Sequence, residues 1–163
     1  MEKFQTDILI IGGGLAGLSA AIAGIDVNHT KVAIVSKGKI GSSGNTIIST
    51  GCLAGYIKDR IEGDSADIFA QDILEAGEYI NNREMVTTFV EKSGEMLLRL
   101  QRYGVNFLRD KDKLQAHFSP GHSFPRVFQA TSNKYPYSLQ GMAITQPLRK
   151  MAKDKGVKFL EGI

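Results

Sequence analysis

Three glycines at the spacing Gly12-x-Gly14-x-x-Gly17 follow the apolar run Asp7-Ile8-Leu9-Ile10-Ile11, and the chain passes directly from them into a helix-forming pattern. Each glycine answers a separate need of a dinucleotide site: a tight turn, close approach of backbone to a pyrophosphate, and close packing of helix on strand. The helix that opens there offers free N–H groups and the positive end of its dipole to phosphates. A second β-like run, Lys31-Val32-Ala33-Ile34-Val35, comes next. In many such units an acid ending this second strand binds ribose, whereas here Ser36 and Lys37 stand there. A serine hydroxyl can bond a ribose hydroxyl, and a lysine can bond a phosphate or ribose oxygen. The missing acid weakens a simple NAD reading, and Lys37 suits either an NADP phosphate or plain solvation.

Other chemistry-bearing residues are sparse. His29 falls in a connection that should face solvent. His117 and His122 flank Pro120-Gly121 without a clustered cysteine or carboxylate, so no metal site is expected. Arg126 could hold a carboxylate through its planar fork, or serve a surface ion pair. Cys52 could be a redox thiol, although a small buried residue suits its surroundings better.

The elements that must position these groups follow from patterning. Asp7 to Ile11 reads as a buried strand, Leu15 to about Ile25 as a helix, and Lys31 to Val35 as a parallel strand reached by a right-handed crossover. From Ser36 to Gly55 the chain is rich in Gly, Ser and Thr, as binding loops or surface excursions are. Asp64 or Ser65 can cap a helix running to about Tyr79. A further helix spans about Arg83 to Tyr103, with Val86, Phe89, Val90, Leu97 and Leu100 on one core-facing stripe and Gly104 as its stop. Asp110 to Pro125 is polar and turn-rich. A last helix lies between Gly141 and Asp154, starting nearer Gln146 because of Pro147, and Val157 to Leu160 forms a third strand. In such a sheet ligands sit beyond the carboxyl ends of the strands, so the loop after Leu160 should border the site.

The 163 residues, 42% hydrophobic and 23% charged, are enough for one α/β domain with a parallel sheet and a sizeable core. No apolar stretch approaches the roughly 20 residues of a transmembrane helix, and no secretory signal is visible. The single cysteine rules out an internal disulfide framework and suits a reducing, cytoplasmic setting. A net charge of +3 with scattered basic residues argues against nucleic-acid binding.

The sequence resembles the flavoprotein family that includes the succinate dehydrogenase and fumarate reductase flavin subunits and L-aspartate oxidase. Three stretches carry the resemblance: Asp7 to Ala21; Val35-Ser36-Lys37-Gly38 with Gly44-Asn45-Thr46-Ile47-Ile48-Ser49-Thr50-Gly51-Cys52-Leu53-Ala54; and Gly121-His122-Ser123-Phe124-Pro125-Arg126. The second is similar to the family's flavin loop, which usually ends Gln-Gly-Gly-Ile, and the third to the Gly-His-Ser-x-x-Arg of aspartate oxidases. The resemblance implies a Rossmann-like FAD-binding domain, with Gly12 and Gly17 among the cofactor-binding residues, Gly13, Gly14, Leu15 and Ala16 at the pyrophosphate, and Ser36 and Lys37 at the adenosine ribose. Asn45 to Cys52 would lie along the flavin, with Thr46, Ser49 and Thr50 donating to its polar edge and Gly51 and Cys52 closing the loop.

Asn45 stands where succinate dehydrogenases carry the histidine that attaches FAD, so non-covalent FAD is expected. His122, Ser123 and Arg126 would wall the substrate site, and the substrate would be a small dicarboxylate exchanging hydride with the flavin. Aspartate oxidases place a glutamate before Gly-Gly-His-Ser; Ser119 and Pro120 occupy that stretch here, which argues against aspartate. In the family the catalytic groups come mainly from a capping domain and later segments. Residues 1–163 therefore read as the N-terminal portion of an FAD-binding domain, incomplete and inactive alone, whose partners would be a C-terminal part or an electron-transfer subunit. A non-enzymatic FAD- or nucleotide-binding module is the competing reading.

Overall fold

The computed structural model describes residues 4–163. In chain order the elements are β1 (Ile8–Ile11), α1 (Leu15–Ile25), β2 (Val32–Ser36), a 3-10 turn (Asn45–Ile48), β3 (Cys52–Ala54), α2 (Ala66–Ala76), α3 (Arg83–Arg102), β4 (Arg109–Asp110), β5 (Lys113–Leu114), β6 (Ala116–His117), β7 (Val127–Gln129), a second 3-10 turn (Tyr137–Leu139), α4 (Met142–Asp154) and β8 (Lys158–Glu161). They divide into two units. One comprises the chain up to Gly51 with Tyr103–Asn106 and Ala130–Ile163; the other comprises Cys52–Arg102 and Phe107–Gln129.

The first unit is built on a parallel sheet in the order β1-β2-β8. Ile8, Ile10, Val32, Ile34 and Phe159 share one face by register. Against it α1 packs closely: a Cβ on Gly17 would lie 1.9 Å from the Gly12 carbonyl oxygen, and one on Gly24 would lie 3.2 Å from Ile8. Leu18, Ala21 and Ile22 of α1 and Ala143, Ile144, Leu148 and Ala152 of α4 are buried. The opposite face leaves Leu9 55% and Ile11 86% exposed. The β1 run is therefore half-covered, where its continuous apolar character predicts burial on both sides.

α4 starts at Met142, a full turn before the position that Pro147 suggests. The N–H groups of Ala143, Ile144 and Thr145 are already satisfied by the carbonyls of Gln140 and Gly141. The buried face running from Ala143 to Ala152 outweighs the one ladder bond that Pro147 removes.

In the second unit, α2 begins at Ser65, whose side chain accepts from the Ile68 N–H at 3.1 Å. Phe69, Leu74, Val86 and Val90 form the core between α2 and α3. The α3 stripe holds at Val86, Val90, Leu97 and Leu100, but Phe89 is 46% exposed, and Ser93 and Gly94 are buried in its stead. Gly94 is there because a Cβ would lie 2.1 Å from the Tyr56 carbonyl oxygen, while Ser93 Oγ accepts from the Tyr56 N–H at 2.9 Å. The polar stretch after Asp110 contains short strands: β4 and β5 pair as a hairpin, and β6 joins an antiparallel sheet in the order β3-β7-β6.

Candidate functional site

At the carboxyl ends of β1 and β2 the first unit has a cleft of about 510 Å³. Gly12, Gly13 and Gly14 border it, with Ser36, Lys37 and Gly38 after β2, Ser43, Gly44 and Asn45 beyond, and Ile163 following β8. Gly12 has φ +107°, a conformation that side chains rarely adopt, and its N–H donates to the Val35 carbonyl at 2.9 Å. The Gly13 and Gly14 N–H groups have no protein acceptor among the described residues. Gly14 caps α1 without a side-chain bond, and no acidic residue sits in the first helical turn. Unpartnered backbone donors, a helix N-terminus free of negative charge and a glycine-lined border together make an anion receptor. This is the donor set a diphosphate needs, so the residues present fit the phosphate portion of FAD. Leu15, Ala16 and Gly17 lie outside the lining. The Leu15 N–H is directed to Thr46 Oγ1 at 3.3 Å, and Gly17 serves the strand–helix contact.

The flavin-loop candidates are pinned by α4. A Cβ on Gly141 would lie 1.7 Å from the Thr46 carbonyl oxygen, and the Gly141 N–H donates to the Ser49 carbonyl at 2.9 Å. The Ser49 hydroxyl donates to the Thr46 carbonyl at 2.7 Å. Its proton is therefore committed within the turn, which corrects its expected role as a donor to a ligand. Gly51 is buried against the Gln140 backbone, and Thr50 is half-buried. Upstream, Gly41 donates its N–H to the Gly13 carbonyl at 2.8 Å, and the Gly41 carbonyl accepts from Thr145 Oγ1 at 2.7 Å and from Gln146 Nε2. Arg149 pairs with Glu161 and also donates to the Ile40 carbonyl. The Arg149 bond holds the Glu161 carboxyl below its ordinary value against the opposing effect of burial, helped by the Ile40 N–H. Thr145, Gln146, Arg149 and Glu161 thus fix the loop that borders the cleft.

The second unit holds the Gly121–Arg126 motif. Arg126 is 1% exposed. Its Nε and Nη2 donate to Asp64 at 3.0 and 2.6 Å, and its Nη1 donates to Asp72 at 2.5 Å. The guanidinium also lies 4.7 Å from the Phe69 ring centroid and 5.4 Å from that of Phe124. Every nitrogen of Arg126 is committed, so it is a buried anchor and neither a carboxylate clamp nor a surface ion pair. Burial alone would lower its pKa, but the bonds to Asp64 and Asp72 raise it above the ordinary value. Ser123 is corrected in the same way: its hydroxyl and its N–H both donate to Asp72, at 2.6 and 2.8 Å. Burial pushes the Asp72 carboxyl up, yet the two Ser123 bonds and then Arg126 outweigh it and hold it below the ordinary range.

His122 rests 5.6 Å from the Phe69 ring, with its Nδ1 sealed and without a partner. Burial, then the Arg126 charge, lowers its pKa against the pull of Asp72, so it is neutral at physiological pH. Cys52, in β3, is exposed, where a buried residue was expected. Among the described residues no group of three or more His, Cys, Asp or Glu could hold a metal, and no helix is long and apolar enough to cross a membrane.

Sequence reasoning does not single out Asp64 and Asp72 as the holders of Arg126, whereas Gly38, Ser43, Gly44 and Ile163 of the cleft lining fall in the Ser36–Gly55 stretch and in the segment after Leu160 that it expects at the site. Asp72 could have been noticed, since it falls three residues after Phe69 on the buried face of α2. The Gly/Ser density from Gly38 to Gly44 was the signal for the lining loop.

A family model described as FAD binding domain matches residues 7–163. The L-aspartate oxidase of Pyrococcus horikoshii is 35% identical over 153 residues, covering 94% of this chain and 29% of the relative. The 8-methylmenaquinol:fumarate reductase flavoprotein subunit of Wolinella succinogenes is 31% identical, covering 94% and 24%. The structure of Mycobacterium smegmatis Sdh1 in complex with UQ1 superimposes with a TM-score of 0.85 at 23% identity, covering 99% of this chain and 28% of that one. The chain therefore spans under a third of the length of the relatives it matches.

Proposed function

This chain belongs to the FAD binding domain family, alongside fumarate reductase and L-aspartate oxidase flavoproteins, and on that premise we propose that it is the FAD-binding portion of an FAD-dependent oxidoreductase of the fumarate reductase type. The observation that carries the reading is the cleft at the α1 N-terminus, with its two unpartnered glycine N–H groups. Gly13 and Gly14 would hold the diphosphate, Ser36 and Lys37 the ribose, and Asn45, Thr46, Thr50, Gly51 and Cys52 would border the flavin. Bound FAD supplies the two-electron acceptor for hydride exchange with a small dicarboxylate. Asn45 has no imidazole to offer, which supports non-covalent binding. His122, neutral and held against Phe69, is the substrate-facing candidate of the second unit; its imidazole can donate or accept a hydrogen bond without bringing a charge. Catalytic acids and carboxylate clamps are expected from other segments, so residues 1–163 alone would bind cofactor without turnover, in the cytoplasm, beside a C-terminal part or an electron-transfer subunit.

Ser119 and Pro120, where aspartate oxidases carry a glutamate, favour a dicarboxylate without an amino group. The test is the visible spectrum of the purified chain titrated with FAD, followed by acid precipitation. A flavin band that passes to the supernatant is the expected result. A band kept in the pellet would overturn non-covalent binding, and no band at saturating FAD would overturn the cofactor reading for this chain.

A further inference from the structure

The second unit contains another cavity, of about 640 Å³, formed by Arg60 and the β4–β5 hairpin. Arg60 is half-buried. One of its terminal nitrogens, Nη2, donates to the Leu114 carbonyl, and the guanidinium lies 5.1 Å from the Phe128 ring centroid. Its Nε is sealed from solvent without an acceptor, and no carboxylate pairs with it among the described residues. The contrast within the chain is sharp: Arg126 has Asp64 and Asp72, and Arg149 has Glu161. A guanidinium cannot shed its proton to escape desolvation, and burial already holds the Arg60 pKa below its ordinary value. Among the described residues the protein supplies no counter-charge to this guanidinium, and a bound anion would.

Lys111 and Lys113 line the same cavity and add two positive charges; Asp110 and Asp112 oppose them. Three cationic side chains against two carboxylates leave the lining with one positive charge in excess, which favours a compact anion over an extended polyanion. We propose that this cavity binds a small multivalent oxyanion, the chemistry shared by inorganic phosphate and short dicarboxylates, with the Arg60 guanidinium as its principal donor and Lys113 as the second. The site is independent of the cofactor cleft and does not rest on the FAD reading.

The purified chain, first alone and then with saturating FAD, is titrated at low ionic strength with inorganic phosphate and, separately, with succinate, following the Arg60 Nε–H resonance and the heat of binding. Saturable one-to-one binding of either probe that shifts this resonance is expected, with Arg60→Gln weakening it at least about tenfold and Lys113→Gln weakening it less. Lys113 is exposed on the hairpin, so its variant keeps the test decisive if Arg60→Gln fails to fold. Binding unchanged in both variants would overturn the proposal, as would the absence of saturation by either probe or competition of the probe by FAD, which would assign the ion to the glycine cleft. Phosphate-only or succinate-only saturation would each support the site and identify the source of the anion.

Discussion

Replacing Arg126 by leucine strands the two carboxylates that hold it. Their side chains are 5% and 9% exposed. Asp72 keeps two bonds from Ser123, but Asp64 loses every side-chain hydrogen bond it makes among the described residues. Breaking a buried ion pair from one side costs about 3–5 kcal/mol. An independent ceiling comes from protonation: an aspartate of ordinary pKa, about 3.9, takes up a proton at about pH 7 for ~4 kcal/mol, so one stranded carboxylate cannot cost more. Leucine preserves much of the apolar contact with Phe69. The expected loss is therefore about 4 kcal/mol at about pH 7, a large part of the ~5–15 kcal/mol that stabilises a typical domain. At about pH 5 the same protonation costs only ~1.5 kcal/mol, so the deficit against wild type should shrink by more than half. Urea unfolding followed by circular dichroism at the two pH values measures this. Adding Asp64→Asn to Arg126→Leu should recover most of the loss. A deficit under about 1 kcal/mol at about pH 7, or one equal at both pH values, would refute the buried-lock reasoning.

Four further outcomes follow from the same geometry. Asp72 has a depressed folded pKa, so its stabilisation is complete above the ordinary value near ~3.9 and lost as pH falls from there toward the folded value; Asp72→Asn should flatten that acid limb in a pH series of melts. His122 should titrate below ~6.5 by proton NMR, its contribution to stability being full above that value and fading as pH falls through the window beneath it; a midpoint above ~6.5 would contradict its burial beside Arg126. Gly17→Ala would set a Cβ 1.9 Å from the Gly12 carbonyl oxygen, which should destabilise the chain by about 1–3 kcal/mol or more and abolish flavin retention in gel filtration. Cys52 is exposed and should react stoichiometrically with a maleimide in the native chain, with saturating FAD slowing the reaction if the loop borders the flavin.

Much of the first unit can be read from residue order because its determinants are local. The Gly12-x-Gly14-x-x-Gly17 turn, α1 and β2 each follow from neighbours a few positions apart. Ser65 and Gly104 mark helix ends by chemistry that a cap requires. The misplacements trace to contacts between residues far apart in the chain. Phe89 lies beside the true α3 stripe, and only the approach of the Tyr56 backbone makes Ser93 and Gly94 the buried positions. Arg126 is ambiguous in sequence because its partners lie 62 and 54 residues earlier. The strands of two or three residues between Arg109 and Gln129 carry no periodicity, since their pairings alone define them. Ser49 and Thr46 are hydroxyls of equal promise in sequence, and local folding directs one of those protons inward.

The parallel pairing of β2 with β8 joins residues roughly 120 positions apart, and the whole of the second unit lies in the interval. A ribosome elongating at about 5–20 residues per second takes roughly 6–25 s to cross it. Throughout that time β1, α1 and β2 have left the exit tunnel without the strand that completes their sheet or the helix α4 that buries the far side of α1. The second unit, closed by β7 at Gln129, has all its parts while α4 and β8 are still to be made. Folding of the nascent chain should therefore begin in its middle, and the glycine turn that opens the sequence should be among the last regions to acquire its final shape. Early-synthesised β1 and β2 are then the segments most in need of chaperone cover, and codon changes that slow translation between Gln129 and Lys158 should lower soluble yield without altering the mature fold.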